Sequence, residues 1–261
     1  MELITSSDST PIACQRSGTG PPLILVHGAG GDHSRWSTLT EHIRDDFTVY
    51  AMDRRGRGQS GDADAYSMER EFDDIAAVAS SIEGPVNLYG HSSGALYALE
   101  AARKIPNLHR LVLYEPPRPG DGQLAPQSVV DELQRLIEQG KPEETLILFM
   151  RKVARFPEDE IAAYQTLPNW PARVAAAHTL PRELDDIHGY DVDPARFSDL
   201  EVPTLLLLGE SSAPMFQTAT KTLDAVLPDS RVCSIPGQGH AADVMAPELV
   251  ALALREFLLD T

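Results

Sequence analysis

The chain has 261 residues, 42% of them hydrophobic, and carries 22 Lys and Arg against 39 Asp and Glu, a formal net charge of −17. That length suits one globular domain with room for an inserted subdomain, and a core of that size needs no disulfide or metal staple. The charge argues against nucleic acid and anionic membrane as partners, since both repel a polyanion, and leaves an acidic enzyme acting on a small molecule as the expected class.

The N-terminus, Met1-Glu2-Leu3-Ile4-Thr5, lacks a basic region followed by an apolar stretch. No apolar run is long enough to span a bilayer, so cytoplasmic residence is expected. Residues 2–5 and 11–16 read as two strands of a hairpin turned by Ser6-Ser7-Asp8-Ser9. Cys14 and Cys233, the two cysteines, fall in strand-like runs far apart in sequence and show no metal spacing; both are expected to be reduced and buried in the core. The apolar run 23–26 has the unbroken hydrophobicity of a strand covered on both faces. His27-Gly28-Ala29-Gly30-Gly31 follows it and precedes a helix over about 34–44. Its glycines have neither the dinucleotide nor the P-loop spacing, so the expected use of the loop is a backbone donor, the N–H of Ala29, rather than phosphate binding. The strand over 47–52 ends in Asp53-Arg54-Arg55-Gly56-Arg57-Gly58-Gln59-Ser60, read as a structural loop buttressed by Asp53 and the arginines. A helix over 67–82 places Phe72, Ile75, Ala76, Ala79 and Ile82 on one face.

The next stretch organises the rest. Val86-Asn87-Leu88-Tyr89-Gly90-His91-Ser92-Ser93-Gly94 is a short apolar strand ending in Gly-x-Ser-x-Gly and passing into the helix-forming run 95–104. A turn that tight needs small neighbours, which Gly90 and Gly94 supply, and it lifts the Ser92 hydroxyl clear of the sheet with the N–H of Ser93 beside it. An ordinary turn with a capping serine is the bland alternative.

A strand over 111–114 closes with Glu115-Pro116-Pro117. Helical patterns then run over 127–139, 143–155, 158–165 and 171–187, punctuated by Pro142, Pro157, Pro168 and Pro171, with no strand evident. Residues 117–201 therefore read as a helical cap inserted between core segments 1–116 and 202–261. Phe149, Met150, Phe156, Tyr164, Trp170 and Tyr190 of this insertion are candidates for an apolar cleft, Phe149 and Trp170 foremost, although aromatics at helical spacing also serve as cap core. Alternation resumes with a strand over 204–208, then a helix over about 215–227 whose Met215 and Phe216 would close the side of the cleft. A strand over 231–235, the loop Pro236-Gly237-Gln238-Gly239-His240 and a last helix over about 247–259 complete the chain.

His27-Gly28, Asp53 to Ser60, Gly90-His91-Ser92-Ser93-Gly94 and Gly237-Gln238-Gly239-His240, in this order and over nearly the whole chain, resemble the α/β-hydrolase family. The resemblance implies an α/β fold: an eight-stranded, mostly parallel sheet of order 1-2-4-3-5-6-7-8, helices on both faces, and a helical cap after strand six. It implies Ser92 as nucleophile and His240 as general base; a Ser rather than an Asp at the elbow separates the chain from the dehalogenase and epoxide-hydrolase branches. The chain departs from the usual pattern where most members carry Asp, three residues after the Gly that ends strand seven. It reads Gly209-Glu210-Ser211-Ser212, with Ser212 in that place. Some relatives, fungal zearalenone lactonases among them, set a Glu after strand six instead, and Glu115 matches that point. Glu115 is the expected third member of the triad, with Glu210 and Asp243 as alternative acids.

The function so implied is a cofactor-free serine hydrolase of a carboxylic ester or lactone, with no metal. Ser92 attacks the carbonyl, His240 shuttles the proton, the N–H groups of Ala29 and Ser93 hold the oxyanion, and water releases the acyl-enzyme. The expected partner is a small apolar ester or lactone, with the protein a monomer or homodimer. The same parts also serve carbon–carbon hydrolysis, hydroxynitrile cleavage, or a ligand receptor that keeps the triad without turnover.

Overall fold

Side chains of β3 (Pro22–Val26) alternate between two hydrophobic layers: Ile24 and Val26 join one cluster, Leu23 and Leu25 the other. A strand covered on both faces belongs at the middle of a sheet, and β3 lies there. The computed structural model describes residues 1–117, 124–190 and 193–259. The sheet has eight strands in the order β1-β2-β4-β3-β5-β6-β7-β8, numbered along the chain. Besides β3 these are β1 (Glu2–Thr5), β2 (Pro11–Gly18), β4 (Thr48–Met52), β5 (Val86–His91), β6 (Leu108–Tyr114), β7 (Thr204–Gly209) and β8 (Ser230–Ile235). The pairs β1–β2 and β2–β4 are antiparallel and the other five are parallel. This is the strand order that the resemblance to the α/β-hydrolase family implies.

Helix α1 (Ser37–Ile43) follows a 3-10 turn over His33–Trp36 and packs on one face of the sheet with α11 (Pro247–Leu258). Helices α2 (Met68–Ser80) and α3 (Ser93–Ala102) cover the other face, joined by α9 (Pro214–Val226). All of α3 is buried, which its small residues allow. The β6-to-β7 connection holds α4 (Gln127–Glu138), α5 (Pro142–Lys152), α6 (Glu158–Gln165), α7 (Trp170–Ala176) and α8 (Leu180–Gly189), with no strand among the described residues. These helices form the cap; residues 118–123 and 191–192 of the expected 117–201 insertion lie outside the described residues. The single helix expected over 171–187 is two, α7 and α8, joined by a 3-10 turn over Ala177–Thr179. Pro181 explains the break: without an N–H it cannot continue α7, yet it suits the first turn of α8.

The cap is tied to the core by buried charge. Glu183 of α8 pairs with Arg54 at 2.9 Å and with Arg57, while Arg54 also pairs with Glu71 of α2 at 2.8 Å. Arg55 pairs with Asp74 at 2.7 Å and Asp8 at 3.0 Å. The arginine cluster is thus neutralised by carboxylates and buttresses the fold. Both cysteines are free, as expected, but Cys233 is only half-buried because β8 is an edge strand. A short helix, α10 (Ala242–Met245), follows the His240 loop, and no described helix is long and apolar enough to cross a membrane.

Candidate active site

Five loops converge beyond the carboxyl ends of β3, β5, β6, β7 and β8, where parallel sheets of this type place their ligands. At the end of β5, Ser92 has φ 56° and ψ −128°, a left-handed φ that a serine adopts only when its surroundings impose it. Glycine on either side makes the imposition possible. A Cβ on Gly90 would lie 2.5 Å from the Gly94 carbonyl oxygen, and one on Gly94 would lie 2.4 Å from the carbonyl oxygens of Val26 and His27. Ser92 stands at the start of α3, and the N–H of Ser93, its first residue, has no intrahelical acceptor. The N–H of Ala29 and the N–H of Ser93 donate to no protein acceptor among the described residues, so both remain free for a ligand oxygen.

At the end of β6, Glu115 also has a positive φ, 51°, and is fully buried. Its Oε2 accepts from Nδ1 of His240 at 2.5 Å. Its Oε1 accepts from the Gly209 N–H at 2.7 Å and from the Ser212 hydroxyl at 2.5 Å. A carboxylate that accepts from Nδ1 leaves the proton there and the lone pair on Nε2, the tautomer that can take a proton from a hydroxyl. The imidazole is held further by Phe216, stacked on it at 4.1 Å between ring centres and 10° between planes. His91 fixes the backbone: its Nε2 donates to the His240 carbonyl at 2.7 Å. Burial, with Arg35 and His240 beside it, drives the His91 imidazole well below its ordinary range, so the ring is neutral. His27 is likewise driven down by burial and Arg54, and its Nδ1 donates to the Gly28 carbonyl at 2.8 Å.

The two alternative acids lie elsewhere. Glu210 is exposed and accepts from the Gly237 N–H at 2.7 Å, a bond that shapes the His240 loop from outside. Asp243 turns away on α10 and closes a bidentate pair with Arg35 at 2.8 and 2.7 Å. Glu115 alone of the three carboxylates meets His240.

Two clefts meet at Ser92. One is lined by Phe149, Leu184, Ile187, Met215 and Phe216 and is mainly apolar. The other contains Ser92 and His240 with Arg35, His91 and Arg173. Phe149, Met215 and Phe216 therefore sit where the sequence suggested. Trp170 does not: it lines neither cleft, is 7% exposed within the cap core, and its indole N–H donates to Glu143 at 2.8 Å. Its place on an apolar helical face fixed its burial but not which neighbours it faces. Asp32, His33 and Asp53 bring possible metal-ligating atoms within 4.8 Å of one another. Their oxygens are engaged already: Asp53 accepts from the His33 and Gln59 N–H groups at 2.7 and 2.8 Å, and Asp32 from the Ser34 N–H at 2.9 Å.

The sequence reading missed the two arginines of the polar cleft. Arg35 gave no signal, because its partner Asp243 lies 208 positions away. Arg173 gave one: it falls three residues after Trp170 and four before Ala177, on the buried face of its helix.

A model of the alpha/beta hydrolase family matches residues 23–253. The chain belongs to the alpha/beta hydrolase family. Its hydrolase fold is shared with an alpha/beta hydrolase of Sphaerobacter thermophilus, 35% identical, with a TM-score of 0.87 over 98% of this chain and 100% of that one. A thermophilic esterase of Thermogutta terrifontis is 26% identical, with a TM-score of 0.74 over 99% of this hydrolase and 97% of the esterase. The 2-(acetamidomethylene)succinate hydrolase of Mesorhizobium japonicum is 27% identical over 94% of this chain and 90% of its own length.

Proposed function

We propose that this hydrolase cleaves the ester or lactone bond of a small molecule through an acyl-enzyme on Ser92. The observation that carries the reading is the 2.5 Å bond from His240 Nδ1 to Glu115, opposite a serine held on a strained elbow in the same cleft. Ser92 Oγ adds to the carbonyl carbon while His240 Nε2 takes its proton. The oxyanion accepts from the Ala29 and Ser93 N–H groups. The tetrahedral adduct collapses, and His240 returns the proton to the departing oxygen. Water then repeats the sequence on the acyl-enzyme, freeing the acid and Ser92. Glu115 keeps the tautomer and balances the imidazolium. The scheme calls on no cofactor or metal.

The apolar cleft suits an apolar part of the substrate, with the segment 117–201 acting as a cap that shapes selectivity over a core of 1–116 and 202–261. A small-molecule partner and a cytoplasmic setting belong to the same reading. The similarity to a protein named an esterase supports the ester. The similarity to a protein named for 2-(acetamidomethylene)succinate favours a second reading, an amide of similar size cleaved by the same steps.

The test is a panel of aryl esters, lactones and N-acyl amides assayed with wild type and Ser92→Ala, with fluorophosphonate labelling alongside. The expected result is multiple turnovers on an ester, loss of several orders of magnitude in Ser92→Ala, and label on Ser92 alone. Near-normal turnover by Ser92→Ala, or label on another residue, overturns the assignment. One stoichiometric adduct that never turns over replaces the enzyme with a receptor.

A further inference from the structure

Among the described residues, buried arginines have carboxylate partners, with one exception. Arg35 has Asp243, Arg54 and Arg57 have Glu71 and Glu183, and Arg55 has Asp74 and Asp8. Arg173 is as buried as these, 5% exposed, yet its guanidinium makes no ion pair and no hydrogen bond among the described residues. Its Nε is fully enclosed without a partner. Its support is the face of Tyr164, with the guanidinium carbon 4.7 Å from the ring centre. Asp243, a carboxylate whose field reaches it, is already committed to Arg35 by two hydrogen bonds. Burial, with Arg35 adding to it, pushes the Arg173 guanidinium down to about 10, still charged at neutral pH.

An unpaired buried cation is unfavourable unless something supplies the missing anion. The cation is placed for use, because Arg173 lines the same cleft as Ser92, His240 and Ala29. Resting on the reading of Ser92 as an acyl-transfer nucleophile, we infer that Arg173 binds a free carboxylate of the substrate, so that the hydrolase acts on acidic acyl compounds. The substrate then carries one carboxylate against Arg173 and its scissile acyl group at Ser92, with an apolar portion in the neighbouring cleft. The planar guanidinium fork suits a carboxylate, and the cap aromatics that exclude water strengthen the pair. Arg173 comes from cap helix α7 and Ser92 from the core, so a bound carboxylate also bridges cap to core.

The experiment compares 4-nitrophenyl half-esters of succinate, glutarate and adipate with their methyl-capped counterparts, the uncatalysed rate being subtracted. Wild type should favour at least one half-ester over its capped form by about tenfold or more in kcat/KM. In Arg173→Met that preference should disappear, the ratio falling about tenfold or more towards one and mostly through KM, as expected when one partner of a buried charged pair is removed. Arg173→Lys should recover part of it. A second measurement needs no turnover. Glutarate should raise the melting temperature of the Ser92→Ala protein and leave the Ser92→Ala/Arg173→Met protein unmoved, both having been confirmed as folded by circular dichroism. No half-ester preference in wild type, equal losses on both substrate classes in Arg173→Met, or dicarboxylate stabilisation that survives Arg173→Met overturns the inference. The aryl-ester turnover and its loss in Ser92→Ala are read separately, so failure of the hydrolytic scheme is told apart from failure of the carboxylate site.

Discussion

The hydroxyl of Ser212 donates to Glu115 Oε1 at 2.5 Å, while the other oxygen of that carboxylate holds His240. Two loops that end neighbouring strands, β6 and β7, thus converge on one imidazole. The acid sits on the first loop, and the serine on the second has become its hydrogen-bond donor. Glu115→Gln should lower kcat by about 10⁴-fold, the loss found when a triad carboxylate becomes an amide and the tautomer is no longer fixed. Ser212→Ala removes one of three donors to the carboxylate and should lower kcat by about tenfold, as one hydrogen bond to a charged group, worth about 1.5 kcal/mol, implies. Glu210→Gln should stay near wild type. Steady-state kinetics on one aryl ester check all three, and a larger loss in Glu210→Gln than in Glu115→Gln would move the acid to β7.

The elbow was legible because a few contiguous residues determine it, whereas the sheet order followed only from the family resemblance. An apolar run followed by Gly-x-Ser-x-Gly leaves the backbone little choice, and His240 sits in a loop of the same local kind. Glu115 was legible only through the family resemblance: Ser212 stands where most members carry Asp, and some relatives set a Glu one strand earlier, where Glu115 falls. Asp243 was a fair alternative by its distance along the chain, but the pull of Arg35 turns it away, and nothing local announces a partner 208 positions distant. Trp170 failed for a similar reason. Hydrophobic periodicity says that a side chain is buried, not whether it meets a cleft or its own cap. The break between α7 and α8 lies at Pro181, inside a stretch whose apolar spacing is helical throughout.

Phe149 and Trp170 now separate into different tests. Phe149 borders both clefts. Phe149→Ala should reorder kcat/KM across esters of different acyl length while leaving the melting temperature within a few degrees of wild type. Trp170 is packed in the cap and bonded to Glu143. Trp170→Ala should cost about 3–5 kcal/mol of stability, as large aromatic deletions in cores do, and should leave the substrate order unchanged. Denaturant unfolding and the ester panel, run on both variants, check the pair. A reordered panel in Trp170→Ala would bring that residue back to the substrate.

Glu183 makes the cap-to-core joint sensitive to acid. Burial alone would raise its carboxyl, but Arg54 and Arg57 outweigh burial and hold it down at about 2, against 4.5 for an ordinary glutamate. The unfolded chain therefore takes up a proton near pH 4.5 that the folded protein refuses until about pH 2. The contribution is complete above pH 4.5, falls through that window, and is gone below it. The shift corresponds to about 3 kcal/mol at neutral pH. Glu183→Gln should destabilise the protein by about 3–5 kcal/mol, since it leaves two buried arginines short of charge. It should also flatten the dependence of unfolding free energy on pH between 4.5 and 2. Urea titrations at several pH values measure both effects, and an unchanged slope would remove Glu183 from the acid response.

The last prediction moves the acid. Ser212 already touches the carboxylate that holds His240, and a Cβ on Gly209 would lie 2.6 Å from its hydroxyl, so the β7 loop is pressed against the site. Glu115→Ala opens the space that the native carboxylate fills and should lose about 10⁴-fold in kcat. Adding Ser212→Asp to it puts a carboxylate on the second loop, about one bond nearer His240 than the serine hydroxyl reaches. The double variant should recover at least about tenfold over Glu115→Ala, because restoring the anion restores both the Nδ1–H tautomer and the balance for the imidazolium. Ser212→Asp alone should be worse than wild type, since two carboxylates would then crowd one site and one of them would have to take up a proton. A double variant no faster than Glu115→Ala, with the fold intact by circular dichroism, would mean that the two loops are not interchangeable supports for the imidazole. In that case the positive φ of Glu115, 51°, becomes a requirement of the site rather than a consequence of where its acid happens to sit.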